Sequence, residues 1–577
     1  MITKLTMRNF KRFEQATIDL GESVVLIGPN NSGKTTALQA LALWDIGYRH
    51  WMAKRGAKSS REKRIGLAIN RRDLIAIPVP NANLLWHDLH TRSMSGRGKD
   101  LKTRNIRIDI IVEGVLGGKP WKCGLEFDYT NEESFYCRPL RLDESKNPQR
   151  MQVPDLGDRM TVAFLPPMSG LTDREYLKQW GEIGVLLGRG ETAEVLRNLC
   201  YRIFSEDALS SKWHEIVNHI KGLFGVELLD PQFREATAEI TMEYREQNDK
   251  VFDLSCSGRG LQQTLLLLAH LYANPHSVLL LDEPDAHLEI LRQRQTYNLI
   301  TQVAQSQRSQ IVAASHSEVV LNEAATRGNV VAFVGRPHSL SDRGSQVLKA
   351  LKDIGFDQYY QAEQKGWVLY VEDATDLAIL QAFAALLEHP VGEHLDAPFV
   401  HYVATNLPQR ARDHFHGVRE AKPDLVGFAL FDRIDADLQD AAGLTETMWT
   451  RNEIENYFCS EAILMAYVSD DQPNDLFALA EQDARTKAMQ AAIREVSNAI
   501  QTLKGRDPWS PDVKASDDVL VPVFRAFSEK MGIPLAMRKS QFHELVGLME
   551  PEDVPNEVRE KLDAIAVVAT KAQPGPS

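Results

Sequence analysis

The chain is poor in cysteine, in long apolar runs and in net positive charge, and each shortage excludes a class of protein. Its 5 cysteines, among 577 residues, are Cys123, Cys137, Cys200, Cys256 and Cys459. They are scattered and form no Cys-x-x-Cys pair, so neither a zinc site nor a disulfide framework is expected. No apolar run approaches the roughly 20 residues a membrane-spanning helix needs. The opening Met1-Ile2-Thr3-Lys4-Leu5 alternates like a strand and lacks the basic-then-apolar pattern of a secretory leader. The expected location is therefore cytoplasmic, with no membrane partner. The net charge of −13 excludes a chain that is basic throughout and leaves any nucleic-acid contact to local patches. The 43% hydrophobic and 25% charged residues are ordinary for a globular protein. The length predicts about two to four domains.

One stretch organises the rest. The β-branched run Val24-Val25-Leu26-Ile27 leads into Gly28-Pro29-Asn30-Asn31-Ser32-Gly33-Lys34-Thr35, and a helix-forming run follows Thr36. Gly-x-x-x-x-Gly-Lys-Thr between a strand and a helix is the P-loop pattern. Gly28 and Gly33 let successive N–H groups curl toward phosphate oxygens, and the following helix N-terminus favours an anion. Lys34 is expected to reach the β/γ-phosphates and the Thr35 hydroxyl to hold Mg²⁺.

Residues 1–20 read as two strands around a turn. Two basic clusters follow, Lys54, Arg55, Lys58, Arg61, Lys63, Arg64, Arg71 and Arg72, then Arg92, Arg97, Lys99, Lys102, Arg104 and Arg107. They read either as a solvated helix face with a flexible loop or as a phosphate-contacting insertion. Residues 107–127 read as a hairpin turning at Gly117-Gly118, 161–166 as a short strand, and 172–225 as mainly helical.

A second set of motifs lies past residue 250. Ser257-Gly258-Arg259-Gly260 precedes an apolar helix over Thr264–Leu271. Ser277–Leu281 is an apolar strand ending in Asp282 and Glu283, and Asp285 follows. Gln310–Ser315 is another strand, ending at His316. Asp282 is suited to hold Mg²⁺ through water, Glu283 to orient or deprotonate an attacking water, and His316 to touch a γ-phosphate.

This ordered set resembles the ATP-binding-cassette (ABC) ATPases of the SMC, RecF and OLD (overcoming lysogenisation defect) type. The resemblance makes Gly28, Asn30, Asn31, Ser32, Gly33, Lys34, Thr35 and Thr36 the ATP-binding Walker A loop, and Ser257, Gly258 and Gly260 the signature loop. It makes Asp282 and Glu283 the end of Walker B, Asp285 the D-loop and His316 the switch histidine. Asn9-Phe10-Lys11-Arg12-Phe13 resembles the opening of these heads. The resemblance implies ATP as ligand and a homodimer or higher homo-oligomer, because the signature loop of one head caps ATP on the other. No glutamine can be placed as the Q-loop. No heptad coiled coil separates Walker A from the signature, which points to a compact, OLD-like head.

After about residue 350 the pattern changes. Trp367–Val371 is a strand ending in Glu372 and Asp373, with Asp376 on the next helix turn. Leu425–Phe431 is a strand ending in Asp432, then Arg433-Ile434-Asp435-Ala436-Asp437, and Phe399–Val403 reads as a strand between them. Alternating strands and helices predict a parallel α/β sheet with these acids at its C-terminal edge. Glu372, Asp432 and one of Asp435 or Asp437 are expected to share Mg²⁺. This half resembles a TOPRIM domain, in which a strand-end Glu is followed by a strand-end Asp-x-Asp. Ile434 occupies the second Asp position, Asp435-Ala436-Asp437 restores the pattern three residues on, and Asp373 stands where Gly is usual. Arg451–Phe458 resembles an acidic segment of related defence proteins and adds Glu455 as a metal ligand, with Glu453 behind it. Lys539 and His543 are candidates for a phosphate contact.

The expected architecture is α/β: an ABC-type ATPase head over 1–350, of mixed sheet with helical insertions, and a TOPRIM-like domain over 351–577. The resemblance implies an ATPase that is also an ATP-regulated, Mg²⁺-dependent endonuclease, with Mn²⁺ an alternative at the second site. It implies action on nucleic acid, DNA ahead of RNA, in antiviral defence, with room for a partner protein. The alternative is an ATP-driven sensor whose TOPRIM-like half is a scaffold.

Overall fold

The computed structural model describes residues 1–56, 66–74, 76–95, 102–143, 145, 148–157, 160–206, 210–327, 329–340, 354–405, 407–435, 437–439, 442–469 and 476–575. The chain divides into two compact units, Met1–Leu348 and Lys349–Ser577.

The first unit contains two six-stranded sheets. One is antiparallel, in the order Phe13–Asp19, Ile2–Phe10, Arg107–Leu116, Lys119–Asn131, Ser134–Pro139, Leu67–Asn70. Alternation sends Ile2, Leu5, Met7 and Phe10 inward from its second strand. The other runs Thr161–Leu165, Ser277–Asp282, Gln310–Ser315, Ser23–Ile27, Asn329–Ala332, His338–Ser339. Its first five strands are parallel. Ser277–Asp282 and Gln310–Ser315 are buried at every position, which explains their unbroken apolar sequence.

The helix Lys34–Arg55 shares one core with both sheets: Leu38, Leu41, Trp44 and Trp51 join Leu5, Ile110 and Phe127 as well as Val24, Leu280 and Val312. Gly47 permits this close approach, since a Cβ there would stand 3.0 Å from both Cys137 Sγ and Leu125 Cδ1. A helical lobe follows, with Trp180–Arg189, Leu196–Ser205 and Ser210–Phe224. The helix expected from Thr264 begins earlier, at Arg259, because the extended Gly258 sits at its N-cap and releases the chain directly into the first turn.

Of the basic clusters, Lys54 and Arg55 stand in the last turn of the helix Lys34–Arg55. Arg92–Ser95 pairs with Lys102–Asn105 as a hairpin, Arg71 is ion-paired with Glu133 at 2.8 Å, and Arg107 faces Asp128 at 3.6 Å and the fully buried Glu126 at 3.9 Å. Lys58, Arg61, Lys63, Arg64, Arg97 and Lys99 lie outside the described residues.

The second unit is built on a four-stranded, all-parallel sheet in the order Val400–Tyr402, Trp367–Val371, Val426–Phe431, Leu444–Met448. Trp367, Leu369, Val371, Phe428 and Leu430 enter the core on one face, and Val368, Tyr370, Ala429 and Phe431 that on the other. Both faces are covered, as a parallel sheet requires. The edge strand Leu-Thr-Glu-Thr-Met was not foreseen. Its polar sequence fits because buried Glu446 accepts two hydrogen bonds of 2.6 Å from Arg412. Near the C-terminus the chain packs against Gly366: Gly575 N–H donates to the Glu363 carbonyl at 2.8 Å, and a Cβ on Gly366 would stand 2.7 Å from Gln573.

Candidate functional site: two carboxylate-bearing sheet edges

The registers of the parallel sheet in the first unit bring its motifs to one edge. Ser315 pairs with Ile27, Asp282 with Ala314, and Leu165 with Leu281, so the P-loop, Walker B acids and His316 all leave the sheet at its C-terminal end. The strand Gln310–Ser315 stands between the P-loop strand and the Walker B strand. Thr161–Leu165 ends in Pro166-Pro167-Met168-Ser169, so no glutamine stands at that strand end.

Gly33 adopts φ 101°, and a Cβ there would lie 2.4 Å from the Phe13 ring. The side chain of the opening motif thus seats the loop. Arg12 Nη1 donates to the Asn31 carbonyl at 2.7 Å. Lys34, 6% exposed, bridges the loop through bonds to the carbonyls of Gly28 (2.7 Å) and Pro29 (2.8 Å). Burial lowers its pKa, against the pull of Glu283, Asp282 and Asp285. The P-loop helix has no side-chain cap and no acid in its first turn, which leaves its N–H groups for an anion.

Thr35 Oγ1 donates to Asp282 Oδ1 at 3.1 Å. This pair supplies hard oxygen donors suited to Mg²⁺. Burial pushes Asp282 up to about 6, opposed by the Thr35 hydroxyl and reinforced by Glu283. Glu283 sits in the left-handed region at φ 48°, pinned by its N–H to the Ala314 carbonyl at 2.9 Å. A non-glycine residue held there is strained, a feature concentrated at functional sites. His316 Nδ1 lies 3.8 Å from Glu283 Oε1. Asp285 is buried, its pKa raised by burial and held back by Ser315. At the signature loop, Ser255, Cys256, Gly258 and Arg259 are exposed, and Gly258 caps its helix without a side-chain bond.

The second unit also carries acids at a C-terminal strand edge. Tyr370 pairs with Ala429, which places Glu372 and Asp432 within about one residue of each other on adjacent strands. Asp376 reaches back to accept from the N–H groups of Glu372 (2.9 Å) and Asp373 (3.3 Å). Burial and then Asp373 push Asp376 up to about 7. Glu455 is 3% exposed, and burial, then Glu453 and Asp376, hold its pKa well above the usual carboxylate range. Glu453 is buried beside it and accepts from the Ser516 N–H. Burial raises the Glu453 pKa, against the Ser516 hydrogen bond and the charges of Lys514 and Lys539, which share Asp517 at 2.6 and 3.8 Å.

Asp435 and Asp437 are exposed on the loop after the strand. Among the described residues no three His, Cys, Asp or Glu side chains converge as a metal-holding group, so Glu372, Asp432, Asp435, Asp437 and Glu455 do not form one cage in this conformation. Asp376 was seen in the sequence only as a first-turn acid. Its spacing of four from Glu372 was the available signal, but its link to Glu455 is purely tertiary.

Family models described as "AAA ATPase domain" and "AAA domain, putative AbiEii toxin, Type IV TA system" match residues 1–44 and 211–322. No curated protein matches the chain. Similar solved structures include the SMC head domain from Thermotoga maritima, at 16% identity over 59% of this chain and 98% of that one, TM-score 0.31. An Smc head with an extended coiled coil bound to the C-terminal domain of ScpA, derived from Pyrococcus furiosus, is similar at 12% identity over 61% and 99%, TM-score 0.33. Among the described residues no helix is long and apolar enough to cross a membrane. The two AAA matches cover the stretches that carry the P-loop, the Walker B acids and His316, and the first unit is a P-loop ATPase.

Proposed function

We propose that the chain is an ATP-regulated, Mg²⁺-dependent nuclease of the OLD type, acting in defence against phage or foreign nucleic acid, with residues 351–577 as its TOPRIM-like half. The observation that carries this reading is the mutual repulsion of half-buried Asp376 with buried Glu453 and Glu455, beside half-buried Glu372 at the end of a parallel sheet where ligands gather. Like charges buried together favour a divalent cation, and a carboxylate donor set suits Mg²⁺ or Mn²⁺. Glu372 and Asp432, on adjacent strand ends, would hold it, and Glu455 would have to draw toward them to join, since the three do not form one cage in this conformation. Bound there, the metal supplies charge neutralisation at a phosphodiester. Lys514 and Lys539, whose charges act on Glu453, would orient a phosphate. The match of 211–322 to a family of putative AbiEii toxins supports the defence setting.

At the first edge, Lys34 would exchange its two loop carbonyls for phosphate oxygens. Thr35 and Asp282 would hold Mg²⁺, Glu283 would orient the attacking water, and His316 would sense the γ-phosphate. The open signature helix, and Ile290 and Leu291 at 75% and 61% exposure just past the D-loop, support a head–head dimer in which each signature loop caps the partner's ATP. Nucleotide state would then set the geometry that gates cleavage.

The test is incubation of the purified protein with DNA and RNA, with Mg²⁺ or Mn²⁺, across nucleotide states. Cleavage that Glu372→Ala removes while ATP turnover persists is the expected result. The exposed positions of Asp435 and Asp437, and Ile434 in place of an acid, favour the second reading, an ATP-driven sensor with a scaffold domain. Absence of cleavage by the wild type in every nucleotide state would select it.

A further inference from the structure

A cavity of about 470 Å³ opens in the first unit, apart from the P-loop. Its walls come from the middle of the P-loop helix, the edge strand Thr161–Leu165, the helix Trp180–Arg189 and the C-terminal end of the signature helix. The volume falls in the range of small-molecule sites, which are mostly apolar with a few converging polar groups. Ile46, Val162, Phe164 and Leu187 supply the apolar lining. Gly181 and Gly184 form an open side, since a Cβ at either would meet nothing within 4 Å. Trp180 stands at this wall, 40% exposed, with the Arg202 guanidinium 4.2 Å from its ring centre. Bare helix backbone beside an aromatic ring makes a flat slot.

The polar groups set the ligand's charge. His270 is 2% exposed, and apart from the backbone of Ala163 on the edge strand its ring has no hydrogen-bond partner, which leaves one ring nitrogen unsatisfied. Buried polar groups are otherwise almost always satisfied. The imidazole is neutral, because burial lowers its pKa to about 4, and the nearby Ala163 carbonyl offsets this only slightly. Asp45 is 8% exposed, with Arg49 Nε at 2.7 Å, and Asp73 lines the same cavity. Arg202 is paired with Glu206 at 2.7 Å, so the two carboxylates stand against the Arg49 guanidinium alone and leave the slot one positive charge short of neutrality.

We propose that this cavity binds a small, planar, cationic aromatic molecule, an arylamidine or a protonated heteroaromatic amine, and that its occupancy sets the rate of ATP turnover. The cation meets Asp45 and Asp73, the ring lies along the glycine face, and a polar edge reaches His270. The cavity touches both the P-loop helix and the signature helix, whose N-termini are the two phosphate-facing ends of the ATPase. A ligand wedged between them fixes the helical lobe against the P-loop helix and so couples to the nucleotide site. The inference rests on the ATPase unit and is independent of nuclease activity.

Benzamidine is the probe, titrated calorimetrically into the full chain at neutral pH, with benzamide and benzoate as neutral and anionic isosteres. Saturable benzamidine binding is expected, with each isostere about tenfold weaker or worse. Asp45→Asn, which keeps the shape, should weaken benzamidine about tenfold, and Gly184→Leu, which fills the slot, should abolish binding. ATP turnover by both variants checks that the unit is folded. Saturating benzamidine should change wild-type turnover at least about twofold and leave Gly184→Leu unmoved. No saturable binding, equal binding of all three probes, or full binding by Gly184→Leu would overturn the site. Binding without any change in turnover would overturn its coupling to the ATPase.

Discussion

The two units place carboxylates at the same topological position, the C-terminal ends of parallel strands, and surround them differently. At the first edge Asp282, Glu283 and Asp285 act on one lysine, Lys34, and Asp282 bonds the Thr35 hydroxyl. Positive charge, hydroxyl and an uncapped helix end stand among the acids, an arrangement suited to a polyanion with its own metal. At the second edge the acids face one another, and Glu455 is raised by Glu453 and Asp376 as well as by burial. The same topological position thus sets acids around a lysine and a hydroxyl in one unit and against one another in the other.

The sharpest way to break the comparison is at its single lysine. Lys34→Ala should lower ATP turnover by about a hundredfold or more, read as phosphate release, while the second unit keeps its fold. Glu283→Gln should slow hydrolysis by a similar order and leave ATP bound, read by retention of labelled nucleotide; rapid release instead would remove Glu283 from the water-orienting role. The complementary change, Glu372→Ala, should spare turnover and remove cleavage. Loss of both activities would mean that the two edges are not separable.

A smaller, thermodynamic effect concerns Asp376. Its pKa is raised to about 7, so the folded state holds the proton more tightly than the unfolded chain. Stability from this group is full below the unfolded carboxylate value and declines as pH rises through about 7. Asp376→Asn should therefore stabilise the protein at pH 8 by about 1–3 kcal/mol and have little effect near pH 4. Thermal unfolding at both values measures this; destabilisation at pH 8 would show that the hydrogen bonds to Glu372 and Asp373 N–H outweigh the repulsion. The smallest effect is expected of Arg12→Ala, which frees only the Asn31 carbonyl and should raise the KM for ATP about two- to fivefold with kcat little changed.

Strand and helix order through both units was largely legible. The hairpin near 107–127 and the apolar runs at 277–281 and 310–315 follow from period and turn chemistry. The failures share a cause. Arg107 read as a free basic residue because Glu126 and Asp128 lie about 20 residues away and become partners only through strand pairing. Leu444–Met448 escaped notice because Glu446 interrupts its pattern, and Arg412 satisfies that acid from a distant helix. Asp435 and Asp437 restored a motif on paper, yet the chain leaves the sheet at Asp432 and carries them into solvent-exposed loop.

By itself the sequence determined what is contiguous: a glycine-rich loop between a strand and a helix, and acids that end apolar strands. These depend on local backbone geometry, which a few neighbouring residues dictate. Tertiary structure alone decided which charges meet, joining Thr35 to Asp282 across 247 positions, and gathering Asp376, Glu453 and Glu455 into mutual repulsion. Coulomb energy depends on distance and burial, and neither is written in the order of residues.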